Sequence, residues 1–528
     1  MKKSPEQSNT DSGFAELSRE VDFGWDLVLC LLVATVAALL MPLDDADLPM
    51  HLATGAWILD HGRLPLTEPF AWTRMGAPFY AYSWLPEVAY ETARRAMGLR
   101  GVSVVHAVAV AGAVVAVWDL ARAARWSLWA TRLMLSVHVI LWLLVQPATR
   151  PQLVLAIALP LAWAAAYRLR SAASPVLGLA MTLLAAAMAV NSHLLFPLTI
   201  VPVVVLLGAE RFRVSRVAGF VVATVVGWLC TPNALHLLDI LRLNLGANAL
   251  LGAASPIMEL EPGFGFLIKA AVGTKLVAGG LLVLPLLPFY ARLPQRERWW
   301  LGMAWLAGLG LFGLAIRGLL LWWLLAMPVV ALALASIPLP RLVATQRAVV
   351  GAWVVAVFAP IGHAVKAREL LGRVDGLPHP EAKVLAPTVR WLECATAGAD
   401  STRGVPRGTT VFDDGSYLVW RVPSVSWSVD GRAIFPDSVA KAEAGQQLRY
   451  GAVLSPPWQH GDIALLPARH ASAAALDADS LWRAVPTDSV AGGARLRLWV
   501  RRAWLDRQST VGSCASATAA VSLPVANE

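Results

Sequence analysis

WDLVLCLLVATVAALLMPLDDADLPMHLATG, residues 25–55, joins an apolar run from Trp25 to Leu43 to a turn in which Asp44, Asp45 and Asp47 precede His51. A helix of about 20 apolar residues spans a hydrocarbon core, so the run is long enough to cross. No small-residue cleavage site precedes Asp44, and the run therefore reads as a retained first span, not a signal peptide. The acids stand where the chain leaves the bilayer.

The same pattern recurs along the chain. Further apolar runs begin near Val102, Leu133, Pro151, Pro175, Pro197, Val217, Ala270, Leu301, Leu319 and Ala348, which with the first makes eleven predicted spans. Composition agrees: 57% of the 528 residues are hydrophobic and 15% charged, with a mean hydropathy of +0.58. Soluble domains carry about 25% charged residues. The fold class is an α-helical polytopic membrane protein, in contact with membrane lipids.

Orientation follows from Lys/Arg asymmetry in short loops. One alternate set holds Arg122, Arg125 and Arg132; Arg168 and Arg170; Arg211, Arg213 and Arg216; Arg292, Arg296 and Arg298; Arg341 and Arg347. The other set is nearly free of positive charge in its short members, with Arg150 and Arg317 as the exceptions. The first set is thus cytoplasmic, which puts the N-terminus inside and everything after the last span in the periplasm or exterior. The expected organisation is a cytoplasmic tail over 1–23, a transmembrane domain over 24–365 with an outer loop over 44–101, an exterior domain over 366–507, and a disordered tail over 508–528. Strand-like segments at Thr409–Phe412, Tyr417–Val422, Val425–Val429, Ala452–Leu454, Asp462–Leu466 and Ala494–Val500 make the exterior domain a small mixed α/β fold.

A net charge of +9 raises the question of nucleic acid. The positive residues lie in inter-helix loops, with no basic stripe among exposed aromatics, and this excludes nucleic acid as a partner. Cys30, Cys230, Cys394 and Cys514 lack metal-ligand spacing, and only Cys394 and Cys514 stand where an exterior disulfide can form. There is no Walker motif, Rossmann fingerprint or His-Glu-x-x-His helix.

The chemistry concentrates at the start of the first outer loop. A carboxylate flanked by low dielectric has a raised pKa and is a better base. On a short helix over 47–59, Asp47 and His51 at i, i+4 share one face, where they can share a proton or bind a divalent cation. The competing reading is that the acids only cap that helix. Most of the 23 tryptophans are accounted for by interfacial anchoring.

From Asp45 to Gly98 the chain carries Asp45–Ala46–Asp47, His51–Leu52–Ala53–Thr54–Gly55, Gly62–Arg63–Leu64–Pro65 and Trp84–Leu85–Pro86–Glu87. This combination resembles the first outer loop of GT-C membrane glycosyltransferases, in particular bacterial relatives of the protein mannosyltransferases. Arg150–Pro151–Gln152, Asn191–Ser192–His193, Pro232–Asn233, Met258–Glu259, Arg317 and Asp430–Gly431–Arg432 are similar to later signatures of that group. Pro49–Met50 and Leu194 depart from it, standing where aromatic residues and glycine are usual.

The resemblance implies transfer of a sugar from a polyprenyl-phosphate carrier to a glycan, lipid or protein acceptor at the outer face of the cytoplasmic (bacterial inner) membrane. It makes Asp45 or Asp47 the catalytic base. Arg150 or Arg317 would pair the lipid phosphate with a planar fork of donors. His51, Glu87, Asn191, His193 and Glu259 complete the expected substrate-binding set, and a divalent cation is the one cofactor these residues suggest. A polysaccharide polymerase or ligase fits the same architecture, as does a non-catalytic transporter or envelope assembly protein. Transporters set ionisable groups near the midplane, however, whereas here most acids lie in loops, with His138, Lys269 and Lys275 as the few midspan exceptions.

The topology has a direct test. Reporters fused after Arg170, Arg216 and Arg347 should be cytoplasmic, and those after Arg100 and Asp437 exterior; an exterior reporter at Arg216 overturns the helix count.

Overall fold

The computed structural model describes residues 25–43, 45, 47–145, 150–171, 174–251, 295–314, 318–335, 358, 360–362, 364–365, 382–397, 405–410, 412–428, 461–467, 471–485 and 496–507. Its main helices are α1 (Trp25–Leu40), α2 (Leu48–His61), α3 (Trp84–Met97), α4 (Leu99–Ala123), α5 (Leu128–Ile140), α6 (Leu155–Ser171), α7 (Pro175–Val190), α8 (Val214–Leu229), α9 (Leu237–Leu251), α10 (Gln295–Leu314) and α11 (Gly318–Ala335). They are followed by α12 (Ala382–Thr396), α13 (Phe412–Arg421) and α14 (Ala471–Ala478). The described elements fall into two compact units: α1, α4 to α8, α10 and α11 in one, and α2, α3, α9, α12 to α14 with the sheet in the other.

The helical unit packs through small residues, as helices in lipid do when their backbones approach closely. A Cβ added at Gly227 would stand 2.6 Å from that of Ala186, and one at Gly308 would stand 2.9 Å from Trp322 Cα. Polar side chains bind the helices further: Trp163 Nε1 donates to the Leu324 carbonyl at 3.0 Å, and Trp323 Nε1 to His138 Nδ1 at 3.2 Å. Arg132 pairs with Asp26, Arg168 with Asp119, and Arg170 with Glu297.

Among the described residues, Leu99–Ala123 and Pro151–Ser171 are long and apolar enough to cross a membrane, and the bent pair Val214–Leu229 and Ala234–Asn244 makes a third if counted as one span. Trp25–Leu40, Ala130–Leu143, Pro175–Val190, Phe196–Leu207 and Leu319–Leu332 are apolar but shorter. The expected eleven spans are therefore not reached by helix length here. Broken helices account for part of the difference. Leu141–Val145 is π-helical, and Phe196–Val203, with Pro197 and Pro202, is 3-10. The predicted spans near Ala270 and Ala348 lie outside the described residues.

In the second unit the sheet runs β2-β1-β3-β5-β4, built from β1 (Arg407–Thr409), β2 (Ser426–Trp427), β3 (Ile463–Pro467), β4 (Trp482–Val485) and β5 (Leu496–Arg501). β1 is parallel to β2 and β3, while β5 is antiparallel to β3 and β4. The expected mixed α/β fold is present, with two corrections: of Thr409–Phe412, predicted as a strand, only Thr409 lies in β1 and Phe412 opens α13, and Tyr417–Val422, also predicted as a strand, lies mostly in α13. Its consecutive apolar residues have no period-2 alternation, and burial of Tyr417, Leu418 and Val419 within a helix wins over their strand propensity. The predicted strand Ala452–Leu454, the Asp430–Gly431–Arg432 turn and the tail over 508–528 lie outside the described residues. Cys30 and Cys230 are free, Cys394 is disulfide-bonded, and Cys514 is outside the described residues.

The loop between α2 and α3 docks on this sheet. Ala71 forms a parallel bridge with Trp427, Trp72 Nε1 donates to the Gly408 carbonyl at 2.9 Å, and Thr73 Oγ1 donates to the Ser428 carbonyl. From the other side, Ser426 Oγ donates to the Phe70 carbonyl at 3.0 Å. The loop thereby covers the β2 edge, whose backbone would otherwise be open to pairing with another chain.

Each of these bonds contributes about 1 kcal/mol. Thr73→Val combined with Ser426→Ala should free the loop locally without unfolding the sheet. Hydrogen–deuterium exchange of residues 68–76 should then rise by about tenfold or more, with β3 and β5 unchanged.

Candidate functional site

Helix α2 begins where the acid-rich turn ends. Pro49 sits in its first turn, where a missing N–H costs nothing, and Gly62 stops it in the left-handed region at φ 62°. Asp45 Oδ1 accepts the Asp47 N–H at 3.0 Å, which fixes the turn. Asp47 occupies the N-cap position, yet its side chain makes no cap hydrogen bond. The capping explanation of these acids therefore fails for Asp47, while Asp45 does serve the turn.

Helix α3 brings a third carboxylate. Ser83 precedes it and donates its hydroxyl to Glu87 Oε1 at 3.1 Å, one turn away. The same Oε1 lies 3.0 Å from His51 Nδ1. Because Oε1 belongs to a carboxylate, Nδ1 is the donor. Glu87 is only 5% exposed, and its Oε2 is buried with no hydrogen-bond partner among the described residues. The His51 side chain is 19% exposed, so one edge of the ring reaches solvent.

Burial alone would lower the His51 pKa. The hydrogen bond to Glu87 and the negative charges of Glu87, Asp47 and Asp45 outweigh it and hold the imidazole above its ordinary range. Tyr90, one turn beyond Glu87, is pushed upward by burial and then by Asp45 and Glu87, so its phenol stays protonated. Further along α3, buried Glu91 is held by Arg94 and Arg95 at 2.6 and 2.8 Å, and Arg95 also reaches Asp60 of α2.

Gly55 makes this geometry possible. A Cβ there would run into the Glu87 carbonyl and stand 2.9 Å from the Glu91 Cβ, so α2 rests against α3 with only hydrogen between. Of the sequence-predicted residues, Asp45, Asp47, His51 and Glu87 share this unit. Arg150, Asn191 and His193 belong to the helical unit. Arg150 precedes the 3-10 turn Pro151–Val154. Asn191 Nδ2 donates to the Ala187 and Cys230 carbonyls, both at 2.8 Å, tying α7 to the end of α8. His193 Nδ1 accepts the Leu195 N–H and shapes the turn after α7. Glu259 and Arg317 lie outside the described residues.

Ser83 and Tyr90 were not singled out from the sequence. Their spacing of four before and three after Glu87 was the available signal, since on a helix both fall on its face. Among the described residues no group of three or more His, Cys, Asp or Glu side chains is placed to hold a metal ion.

In fold the chain is similar to the arabinofuranosyltransferase AftD from mycobacteria, with TM-score 0.54, 15% identity, and 90% of this chain and 41% of that one covered. It is also similar to the oligosaccharyltransferase AglB of Archaeoglobus fulgidus in complex with an inhibitory peptide and a dolichol-phosphate, with TM-score 0.50, 11% identity and coverage of 84% and 69%. The apo crystal structure of the Archaeoglobus fulgidus oligosaccharyltransferase gives TM-score 0.55, 11% identity and coverage of 84% and 70%. The sequence matches no protein-family profile and no curated protein. The chain thus has the GT-C fold of membrane glycosyltransferases while spanning less than half the length of AftD.

The approach at Gly55 can be tested whatever the reaction. Gly55→Ala should destabilise the loop by about 1–3 kcal/mol, read as a lower thermal midpoint in detergent. Gly310→Ala, where an added Cβ meets nothing within 4 Å, should be neutral.

Proposed function

We propose that this protein is a glycosyltransferase that moves a sugar from a polyprenyl-phosphate carrier to an acceptor hydroxyl at the outer face of the cytoplasmic membrane. The observation that carries the reading is the gathering of Asp45, Asp47, His51 and Glu87 in one half-buried cluster at the start of the first outer loop. Acceptor oxygens need negative charge and a proton acceptor within hydrogen-bond reach, and this cluster offers both. The fold likeness supports the reaction class, and the AglB complex holds a lipid carrier of the proposed kind.

Topology supports the same side for all the parts. Residues 42–99 and 371–528 belong to one compact unit, and a sheet with its loops does not fold inside hydrocarbon. An even number of crossings by the chain between them, as ten of the eleven predicted spans would make, is in keeping with that reading. A disulfide at Cys394 fits an oxidising exterior compartment. Arg150 and Arg317 are the residues proposed to meet the lipid phosphate.

The test is transfer by membranes supplied with a panel of polyprenyl-phosphate sugars. Asp47→Asn keeps size and most hydrogen bonds but removes the charge beside the acceptor, and should lower turnover about 100-fold. Asp45→Asn should act similarly, with some loss of the turn it supports. Wild-type rates in both variants and in the double variant would remove Asp45 and Asp47 from the chemistry.

A further inference from the structure

The carboxylates are not the only proton acceptors in the cluster. Asp45 is 6% exposed and turned to its own backbone, accepting the Asp47 N–H. His51 is differently placed. Its Nδ1 is committed to Glu87, its Nε2 makes no hydrogen bond among the described residues, and the side chain keeps a solvent-facing edge. A histidine that donates from one ring nitrogen to a buried carboxylate presents the other as a lone pair, held in one tautomer and one orientation.

We propose that His51 and Glu87 form the proton-accepting pair of this site: His51 Nε2 takes the acceptor's proton, and Glu87, itself fixed by Ser83, is the positioning residue. The inference rests on the glycosyl-transfer reading but assigns the proton to the imidazole. Asp45 and Asp47 then orient the hydroxyl and stabilise the imidazolium. In the step, the acceptor O–H proton passes to Nε2 as the oxygen bonds to the anomeric carbon. The bond from that carbon to the phosphate oxygen breaks, and its electron pair stays on the phosphate. The imidazolium afterwards gives its proton to water.

The surroundings support this division of labour. The charges acting on His51 are Glu87 from α3 and Asp47 and Asp45 from the turn before α2, and no positive group is among them. Glu87 has one oxygen unpartnered and buried, so a positive His51 is the compensation its charge has nearby. These carboxylates make His51 a stronger base than a free imidazole. Because the base must be unprotonated, activity should fall as pH drops through that raised pKa.

The test pairs a pH–rate profile with a label that needs no substrate. In the wild type, diethyl pyrocarbonate should modify His51, with a rate that rises with pH, when peptides are mapped by mass spectrometry. Glu87→Gln should shift that rise to lower pH, move the acid limb of transfer the same way, and cost about 10- to 100-fold in rate. Glu87→Asp should recover part of it. His51→Gln should lower transfer about 100-fold or more and abolish the limb, whereas Asp47→Asn should slow transfer and keep it. An acid limb that survives His51→Gln, or a His51 inert to the reagent while other exposed histidines react, overturns the pair. If no donor in the panel gives transfer, the glycosyl-transfer reading falls, and a His51 reactivity independent of Glu87 would then sink the pair separately.

Discussion

The approach of α2 to α3 at Gly55 is the contact from which the loop's chemistry follows. With no side chain at residue 55, the Glu87 backbone lies directly against α2, and one turn earlier on α2 the His51 ring meets the Glu87 carboxylate. Leu48 and Leu52 are fully buried and fix the inner side of α2, so the polar positions Asp47 and His51 fall on another side by helical spacing. A larger residue at 55 would separate two groups whose pairing sets the protonation of the site. Packing and electrostatics are here one constraint.

In the helical unit the arginines from which the orientation was predicted are also structural. Arg132, Arg168 and Arg170 each meet a carboxylate from another helix, and Arg216 donates to the Arg170 carbonyl. The topogenic bias counts Lys and Arg with little regard to nearby acids, so the predicted role in orientation and the observed ion pairs do not conflict. Their partners Asp26, Asp119 and Glu297 lie near the ends of helices whose middle stretches are mostly apolar. Such pairs reward a bundle whose helices are in register, because leaving either partner alone near lipid is costly.

Much of this was legible in the sequence. The starts of α1, α4 and α7, the helix carrying Asp47 and His51, and strands β3 and β5 all follow from hydrophobic period and turn residues. Local pattern failed where distance in sequence decides. Tyr417–Val422 reads locally as a strand, yet all of it but Val422 lies in the second half of α13, which packs against α2. β4, at Trp482–Val485, is short, with two exposed residues that dilute its pattern. The site was legible as residue types but not as bonds: that Glu87 would meet His51, and that Asn191 would be occupied by two carbonyls, depends on tertiary contacts the sequence does not encode locally.

The docked loop also sets a clock for the molecule's birth. Trp72 and Gly408 are separated by 336 residues, so the indole leaves the ribosome long before its acceptor exists. At about 5–20 residues per second, that interval is roughly 20 to 70 seconds. Throughout it the Phe70–Thr73 segment has an unclosed strand face, its polar groups served by water or by a holding chaperone. Folding of the loop is thus completed by the end of the chain, and a truncated product carries an open edge.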